Sequence, residues 1–437
     1  MRYVGNTVKS SRAIKYRLEE PCDADKLRVI IPVGGQALRL RPLTAEVSKA
    51  VIRLLNRPIV EIAMANLARQ NVKNFIFGVK GYVNYKSLFD YFGDGRGFSS
   101  YYGIEPRVHI KYQPRVDDVG NADSVRINMD YYDITDPVVG VQGDNIFDVD
   151  IKELIRFHEQ KDAVMTIGVT AVDDVTEYGV AKLDKDMRVM GFVEKPKREE
   201  APSNLINTGV YFLSPKIREI FQEQAVKDMI RAGRLDFGLD FIPYPLKKDY
   251  SVYAYPIRGH WYDIGTPKKY LETMQKLLKA EEPWLPKGNR IQANATVWVQ
   301  GESAESIKRA KEIEEKIRSG KIEVEGSVLI GRHCSIGDGV YIKDSSIDNY
   351  TIIGEGSVIE NSAIMDRVFI GRGAEIRDSI IGRHAEIMSS DGARSKIMGI
   401  SVIADDVRVG EGVNLVATKI YPHETIPPKR TMVEEVV

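Results

Sequence analysis

From Val324 onward an aliphatic residue recurs at Val324, Ile330, Ile336, Ile342, Ile347, Ile353, Ile359, Ile364, Ile370, Ile376, Ile381 and Ile387, in steps of six, six, six, five, six, six, five, six, six, five and six. Glycine follows several of these positions, at 331, 337, 354, 371 and 382, and small residues sit four places on at Cys334, Ser357, Ala363, Ala374 and Ala385. Such a repeat suits a triangular coil in which each flat face points one aliphatic side chain inward and the chain turns on a small residue. A globular strand can show one or two such steps by chance. Eleven in succession specify a parallel β-helix. The register breaks across Ser389 to Met398 and resumes at Val402 to Leu415, and Tyr421-Pro422 with Pro427-Pro428 are expected to end the solenoid.

One interruption precedes the repeat. Ser303 to Arg318 carries Ala304, Ile307, Ala310, Ile313 and Ile317 on one face, charged residues elsewhere, and Gly320 as a stop. This predicts a helical insert over 302–319 within a domain spanning 286–437. Such a helix either covers the flank of its own domain or takes part in a subunit contact.

At 437 residues the chain is too long for one ordinary core. Upstream of the repeat, short apolar runs (Val29–Val33, Phe75–Val79, Val108–Tyr112, Val138–Gln142, Val164–Val169) alternate with helical patterns such as Ile59–Asn71 and Ile151–Gln160. That alternation predicts an α/β domain over 27–285, a Rossmann-like, mostly parallel sheet with helices on both faces. Residues 1–26 are polar, mixed in charge and without the hydrophobic centre of a signal peptide, and read as an N-terminal extension. Lys plus Arg equals Asp plus Glu at 62 each, so no overall field draws the chain to nucleic acid or to an anionic membrane. The two cysteines, Cys22 and Cys334, cannot build a disulfide framework or a zinc site by themselves, which predicts a reducing cytoplasm.

Any affinity for phosphate must then be local. Val33-Gly34-Gly35-Gln36-Ala37-Leu38-Arg39-Leu40-Arg41-Pro42-Leu43-Thr44 follows the first apolar run, with Ser48-Lys49-Ala50 behind it. A glycine pair straight after a strand lets backbone approach a polyphosphate, and Arg39, Arg41 and Lys49 supply positive charge there. The same pair also marks ordinary tight turns. Ligands of such sheets sit at the carboxyl ends of the strands, which would place Gly34-Gly35 and Gly143-Asp144 in one crevice.

Taken together, these residues resemble the sugar-1-phosphate nucleotidylyltransferases, in their long form with a left-handed β-helix tail. The resemblance covers about residues 27–425. Gly34, Gly35, Arg39, Leu40, Pro42, Leu43, Thr44 and Lys49 match the opening pattern Gly-Gly-x-Gly-Thr-Arg-Leu-x-Pro-Leu-Thr followed by Pro-Lys-Pro, while Ala37, Leu38, Ser48 and Ala50 depart from it. Ala37 restricts φ where the family has glycine, and Leu38 loses a hydroxyl. Gln113 with Gly120-Asn121-Ala122 resembles the segment that reads the nucleobase. Gly143-Asp144-Asn145 resembles the metal-binding segment, and Trp261 to Pro267 the segment bearing the second metal carboxylate, Asp263. Tyr178-Gly179, Glu194-Lys195-Pro196 and Asn207-Thr208-Gly209 resemble the sugar-phosphate pocket.

The activity implied is attack of a sugar 1-phosphate on the α-phosphorus of a nucleoside triphosphate, with pyrophosphate leaving. The resemblance implies Val33, Gly34, Gly35, Gln113, Gly120 and Asn121 for the nucleotide, and Tyr178, Gly179, Glu194, Lys195 and Asn207 for the sugar phosphate. Mg²⁺ would be held by Asp144 and Asp263, and Arg39, Lys49 and Lys195 would be the catalytic cations. The alternative is a catalytically inactive regulatory subunit with the same fold. Hexapeptide coils can also carry acyltransferase histidines, but His333 and His384 fall at turns, where a structural role is expected. Flat solenoid flanks predict a homo-oligomer through the β-helix. The base and sugar stay open: Lys419-Ile420-Tyr421-Pro422 resembles mannose-1-phosphate guanylyltransferases, and Gly143-Asp144-Asn145 the thymidylyl-transferring branch.

Overall fold

Alternate residues of the strand Arg28–Val33 feed two different cores. Val29, Ile31 and Val33 pack with Ala63 and Leu67 of the helix Ile59–Arg69, and Ile30 packs with Ala122, Val125 and Met129 of the helix Asn121–Tyr131. A strand covered on both faces reads as a continuous apolar run, as this one does. The structure, a computed structural model, describes residues 23–437 except 116, 283, 284, 286, 293 and 294. Residues 1–22 of the expected extension, Cys22 among them, lie outside the described residues, as do 283, 284 and 286 at the expected boundary between the two domains.

Arg28–Val33 pairs in parallel with Asn74–Val79 on one side and Val138–Val141 on the other, and His109–Tyr112 continues the sheet beyond Asn74–Val79. Its neighbours diverge to either side, so its carboxyl end opens at a topological switch point. The parallel character stops at Leu205–Leu213, which runs antiparallel to Val138–Val141, Gly179–Leu183 and Met165–Ala171. The strand expected at Val164–Val169 is therefore joined to the parallel core through an antiparallel partner.

The repeat folds into the expected solenoid. Val324, Ile342, Ile359, Ile376, Ile397, Leu415 and Met432 stack in register in one sheet, Ile330, Ile347, Ile364, Ile381, Ile403 and Ile420 in a second, and Ile336, Ile353, Ile370, Ile387, Val409 and Ile426 in a third. Two expectations need correction. The stack is already restored at Lys396–Met398, because the extra residues close a small loop between Ser390 and Ala393. The solenoid also runs through Thr425–Ile426 to Thr431–Val433, because Pro422 and Pro428 lie in turns, where no ladder N–H is needed.

The interrupting helix spans Ala304–Arg318 and packs against the Ile322–Glu325 and Ser335–Ile336 strands. Only the C-terminal part of its apolar face is buried, through Ile313 and Ile317; Ile307 stays exposed.

The two halves share one buried cluster. Leu40, Leu43, Ile52, Leu54 and Leu55 pack with Leu329, Ala363, Ile380 and Val402 of the β-helix and with Tyr270, Leu271 and Met274 of the helix Pro267–Lys279. The phosphate-loop candidate therefore rests on the solenoid.

Candidate functional site

Gly34-Gly35 leaves the central strand toward a cleft of about 610 Å³, lined also by Lys49, Gly120, Asn121, Gly143, Asp144 and Gly265. Ala37 adopts the left-handed conformation, φ 46 and ψ 43, before a single 3-10 turn, Leu38–Leu40. An L-residue there is disfavoured by about 1–2 kcal/mol. The Thr44 hydroxyl donates to the Ala37 carbonyl at 3.0 Å and ties the loop together. Leu40 is buried as the anchor, while Leu38 is 59% exposed. Two of the four departures from the family pattern, Ala37 and Leu38, thus fall on a strained residue and a solvated one, while Ser48 and Ala50 are buried.

A second single turn, Lys49–Val51, carries the lysine inward. Its Nζ lies 2.7 Å from Asp144 Oδ2 and 3.7 Å from Asp263 Oδ1. The carboxylates meet because Asn145–Phe147 pairs antiparallel with Trp261–Asp263, setting Asp263 opposite Asn145. Gly143 is required by close approach, since a Cβ there would lie 2.8 Å from Val33 Cγ2. Arg39 Nη1 donates to Glu177 Oε1 at 2.5 Å, and Lys269 donates to the other Glu177 oxygen. Lys269 Nζ also lies 3.6 Å from Asp263 Oδ2. Charges of alternating sign thus run Arg39, Glu177, Lys269, Asp263, Lys49, Asp144. The hydrogen bond from Lys269 holds Glu177 below the usual carboxylate range. Burial works against the Lys269 charge, but hydrogen bonds to Glu177 and Tyr178 prevail and raise it above an ordinary lysine.

On the other side of the cleft, Gly120 precedes the helix Asn121–Tyr131, and a Cβ on it would overlap the Leu235 carbonyl. Asn121 Oδ1 accepts from the Phe237 N–H at 2.7 Å. Gln113 is buried, and its carboxamide is occupied. Its oxygen accepts from Ser124 Oγ at 2.7 Å and Asn128 Nδ2 at 3.1 Å, and its nitrogen donates to the Arg115 carbonyl at 2.5 Å. Gln113 therefore stands behind the cleft wall, and Asp118, Gly120, Asn121 and Ser124 form the surface in front of it. Burial raises the Asp118 carboxyl above the usual range, against hydrogen bonds from Gln113 and the Gly120 N–H.

Tyr178, Gly179, Glu194 and Lys195 meet at one pair of strand ends. The Lys195 N–H donates to the Tyr178 carbonyl at 2.9 Å, and Lys195 has a left-handed φ of 49. A non-glycine residue held this way is a strained position of the kind found at binding sites. A Cβ on Gly179 would lie 2.6 Å from Glu194 Oε2. Burial, then the nearby Asp236 charge, raises the Glu194 carboxyl. Asn207 Nδ2 donates to the Tyr211 hydroxyl at 2.8 Å, and its Oδ1 accepts from the Gly209 N–H at 3.0 Å.

Sequence reasoning misses Glu177, Lys269 and Asp118. Glu177 has one available signal, its place next to Tyr178-Gly179; Lys269, in the first turn of a helix, has none. His333 and His384 have φ 57 at corners of the coil, and His333 stacks on Tyr350 with 4.8 Å between centroids while His384 Nδ1 lies 3.2 Å from Asp406. Both have structural partners.

The family description "Nucleotidyl transferase" matches residues 28–280, more than half of the chain. The chain belongs to the nucleotidyl transferase family. A second description, "GMPPB C-terminal domain", matches residues 324–436 of this nucleotidyl transferase, the solenoid. A provisionally named mannose-1-phosphate guanyltransferase from Sulfolobus acidocaldarius is 28% identical over 254 residues, 58% of this chain and 64% of that protein. The match thus spans just under two thirds of that relative's own length. A glucose-1-phosphate adenylyltransferase from Clostridioides difficile is 27% identical over 269 residues, 59% of this nucleotidyl transferase and 68% of the relative. A solved structure of a provisionally named glucose-1-phosphate thymidylyltransferase from Bacillus anthracis, in complex with sucrose, aligns with a TM-score of 0.49 and 24% identity, over 57% of this chain and 94% of that one. Among the described residues of this nucleotidyl transferase, no helix is long and apolar enough to cross a membrane.

Proposed function

We propose that the chain transfers a nucleoside monophosphate from a nucleoside triphosphate to a hexose 1-phosphate, giving an NDP-sugar and pyrophosphate. The observation that carries this is the Lys49 ammonium 2.7 Å from Asp144 and 3.7 Å from Asp263, in a cleft that Arg39 also lines. A phosphate oxygen of the sugar 1-phosphate forms a bond to the α-phosphorus, the bond to the bridging oxygen breaks, and that oxygen leaves on pyrophosphate. Two anions must be brought together and little covalent work falls to the protein, so cations on both sides are the main requirement.

Asp144 and Asp263 are a hard, all-oxygen pair already gathered around one positive charge. Among the described residues no cluster of three or more such ligands forms. A two-carboxylate set suits Mg²⁺, which keeps waters and takes substrate phosphate oxygens. Bound there, Mg²⁺ would neutralise charge at the α-phosphate and orient the attack. Arg39 then stabilises charge on the departing pyrophosphate, for which its fork is suited. Lys49 and Lys195 grip the incoming phosphate, Glu194 and Asn207 bond sugar hydroxyls beside Tyr178 and Gly179, and Val33, Gly34, Gly35, Gly120 and Asn121 face the nucleotide. Gln113 acts from behind, by fixing Ser124.

The alternative, an inactive regulatory subunit, is not favoured, because Arg39, Lys49 and Asp144 line one cleft, with Asp263 3.7 Å from Lys49, despite Ala37 and Leu38. A homo-oligomer through the β-helix is supported by Ile352 and Phe369, which stack in register on its outer surface and stay exposed; molar mass in solution tests it. A reducing cytoplasm is proposed from the cysteine content alone; among the described residues Cys334 is buried and in no disulfide. The activity is tested by pyrophosphate release across four or five nucleoside triphosphates and the 1-phosphates of glucose, mannose, galactose and amino sugars. At least one pair should react, which also fixes base and sugar; no release from any pair overturns the proposal.

A further inference from the structure

Lys269 is not held as a surface lysine is held. Its backbone N–H donates to the capping Thr266 hydroxyl at 3.2 Å, which fixes it in the first turn of the helix Pro267–Lys279. Its Nζ reaches Glu177, whose other oxygen holds the cleft-lining Arg39, and the Tyr178 hydroxyl at 3.0 Å, and comes within 3.6 Å of Asp263 Oδ2. The adjacent Lys268 shows the ordinary behaviour, with a side chain 72% exposed and a loose pair to Glu272 one turn along. An ammonium has three N–H donors. In Lys269, Glu177 and Tyr178 take two of them, and the side chain remains 30% exposed.

The position matters because of what lies on each side. Asp263, one of the two carboxylates around Lys49, is on one flank; Tyr178, at the pocket assigned to the sugar, is on the other. A sugar 1-phosphate with its sugar at Tyr178 and its reacting oxygen at the metal carboxylates must carry its phosphate past this ammonium. Glu177 receives Lys269 on one oxygen and Arg39 on the other, so one carboxylate aligns a cation for each substrate.

We propose that Lys269 binds the phosphate of the sugar 1-phosphate, and that Glu177 is the positioning residue that aims it. This rests on the nucleotidylyl-transfer reading of the same cleft. The test compares steady-state kinetics of wild type, Lys269→Met and Lys269→Arg, on whichever pair wild type uses best. Loss of a charge-assisted phosphate contact should raise KM for the sugar 1-phosphate roughly tenfold or more in Lys269→Met. KM for the nucleotide should stay within about twofold, and Lys269→Arg should recover most of the loss. An unchanged sugar-phosphate KM, or both KM values rising together, would overturn the assignment. If wild type releases no pyrophosphate, the transfer reading fails separately, and calorimetric titration with glucose 1-phosphate and mannose 1-phosphate decides Lys269. Binding at least about tenfold weaker in Lys269→Met supports its role; equal affinity, or no binding to wild type, contradicts it.

Discussion

Arg53 Nη2 donates to Asp348 Oδ1 at 2.9 Å, and its Nε donates to the other oxygen of the same carboxylate, across the junction between the nucleotidyl transferase half and the solenoid. Burial opposes the Arg53 charge, but Asp348 and Asp366 more than offset it and keep the guanidinium charged. The same residue closes the hairpin that follows Lys49, where Leu55 and Asn56 take left-handed φ values of 50 and 65 and Leu55 is buried in the shared cluster. Removing one partner of a buried pair costs roughly 3–5 kcal/mol where it leaves an uncompensated charge. Here Asp366, 3.7 Å from Arg53 Nε, still offsets part of it, so about 2 kcal/mol is expected. Asp348→Asn should therefore destabilise the chain by about that amount in urea unfolding, and a change below about 0.5 kcal/mol would show that the pair contributes nothing.

Ala37 offers a gain. Glycine at φ 46 relieves strain of about 1–2 kcal/mol, offset in part by the freer unfolded chain. Ala37→Gly should raise Tm; a lower Tm would mean that the methyl group packs usefully.

The pH dependence of stability should carry the mark of one histidine. Burial pushes His158 down to about 3 from its usual 6.5, with Nδ1 2.8 Å from Thr166 Oγ1. A depressed folded value means that its contribution is complete above pH 6.5 and is lost progressively as pH falls toward 3. His158→Gln, which keeps a hydrogen-bonding group beside Thr166, should flatten the fall of Tm with acidification in that window. An unchanged slope contradicts the assignment.

The two carboxylates around Lys49 should set the metal requirement. Chelation of divalent cations should stop pyrophosphate release, and excess Mg²⁺ should restore it. Asp144→Asn and Asp263→Asn should each require a higher Mg²⁺ concentration for half-maximal rate. A rate indifferent to chelator would remove the metal from the proposal.

The solenoid is legible in the sequence because every coil must place one aliphatic side chain inward on each face, so the constraint repeats where it can be counted. Its end is less so: Pro427-Pro428 reads as a stop, yet a turn tolerates proline and the coil continues to Val433. The strand-end glycines and Asp144 are visible because close approach at a switch point demands them locally. Glu177 and Lys269 are not, since their contact joins residues 92 apart. Leu55 and Arg53 are equally hidden, because their partners lie in coils that no local pattern connects to the phosphate loop. Gln113 is found by resemblance, but its saturation by Ser124, Asn128 and Arg115 needs the packed helix beside it.

The cleft carrying Arg39 is proposed to perform nucleotidylyl transfer. Arg39 is largely exposed, so Arg39→Ala should leave the fold intact, and this is checked by an unchanged Tm. Removing a cation that stabilises charge in the transition state should lower kcat for pyrophosphate release by roughly 10²-fold or more. The deciding measurement is that rate in wild type and Arg39→Ala, side by side with saturating Mg²⁺. A large loss in a folded variant is expected; a wild-type rate without the guanidinium would mean that Arg39 takes no part in the transfer.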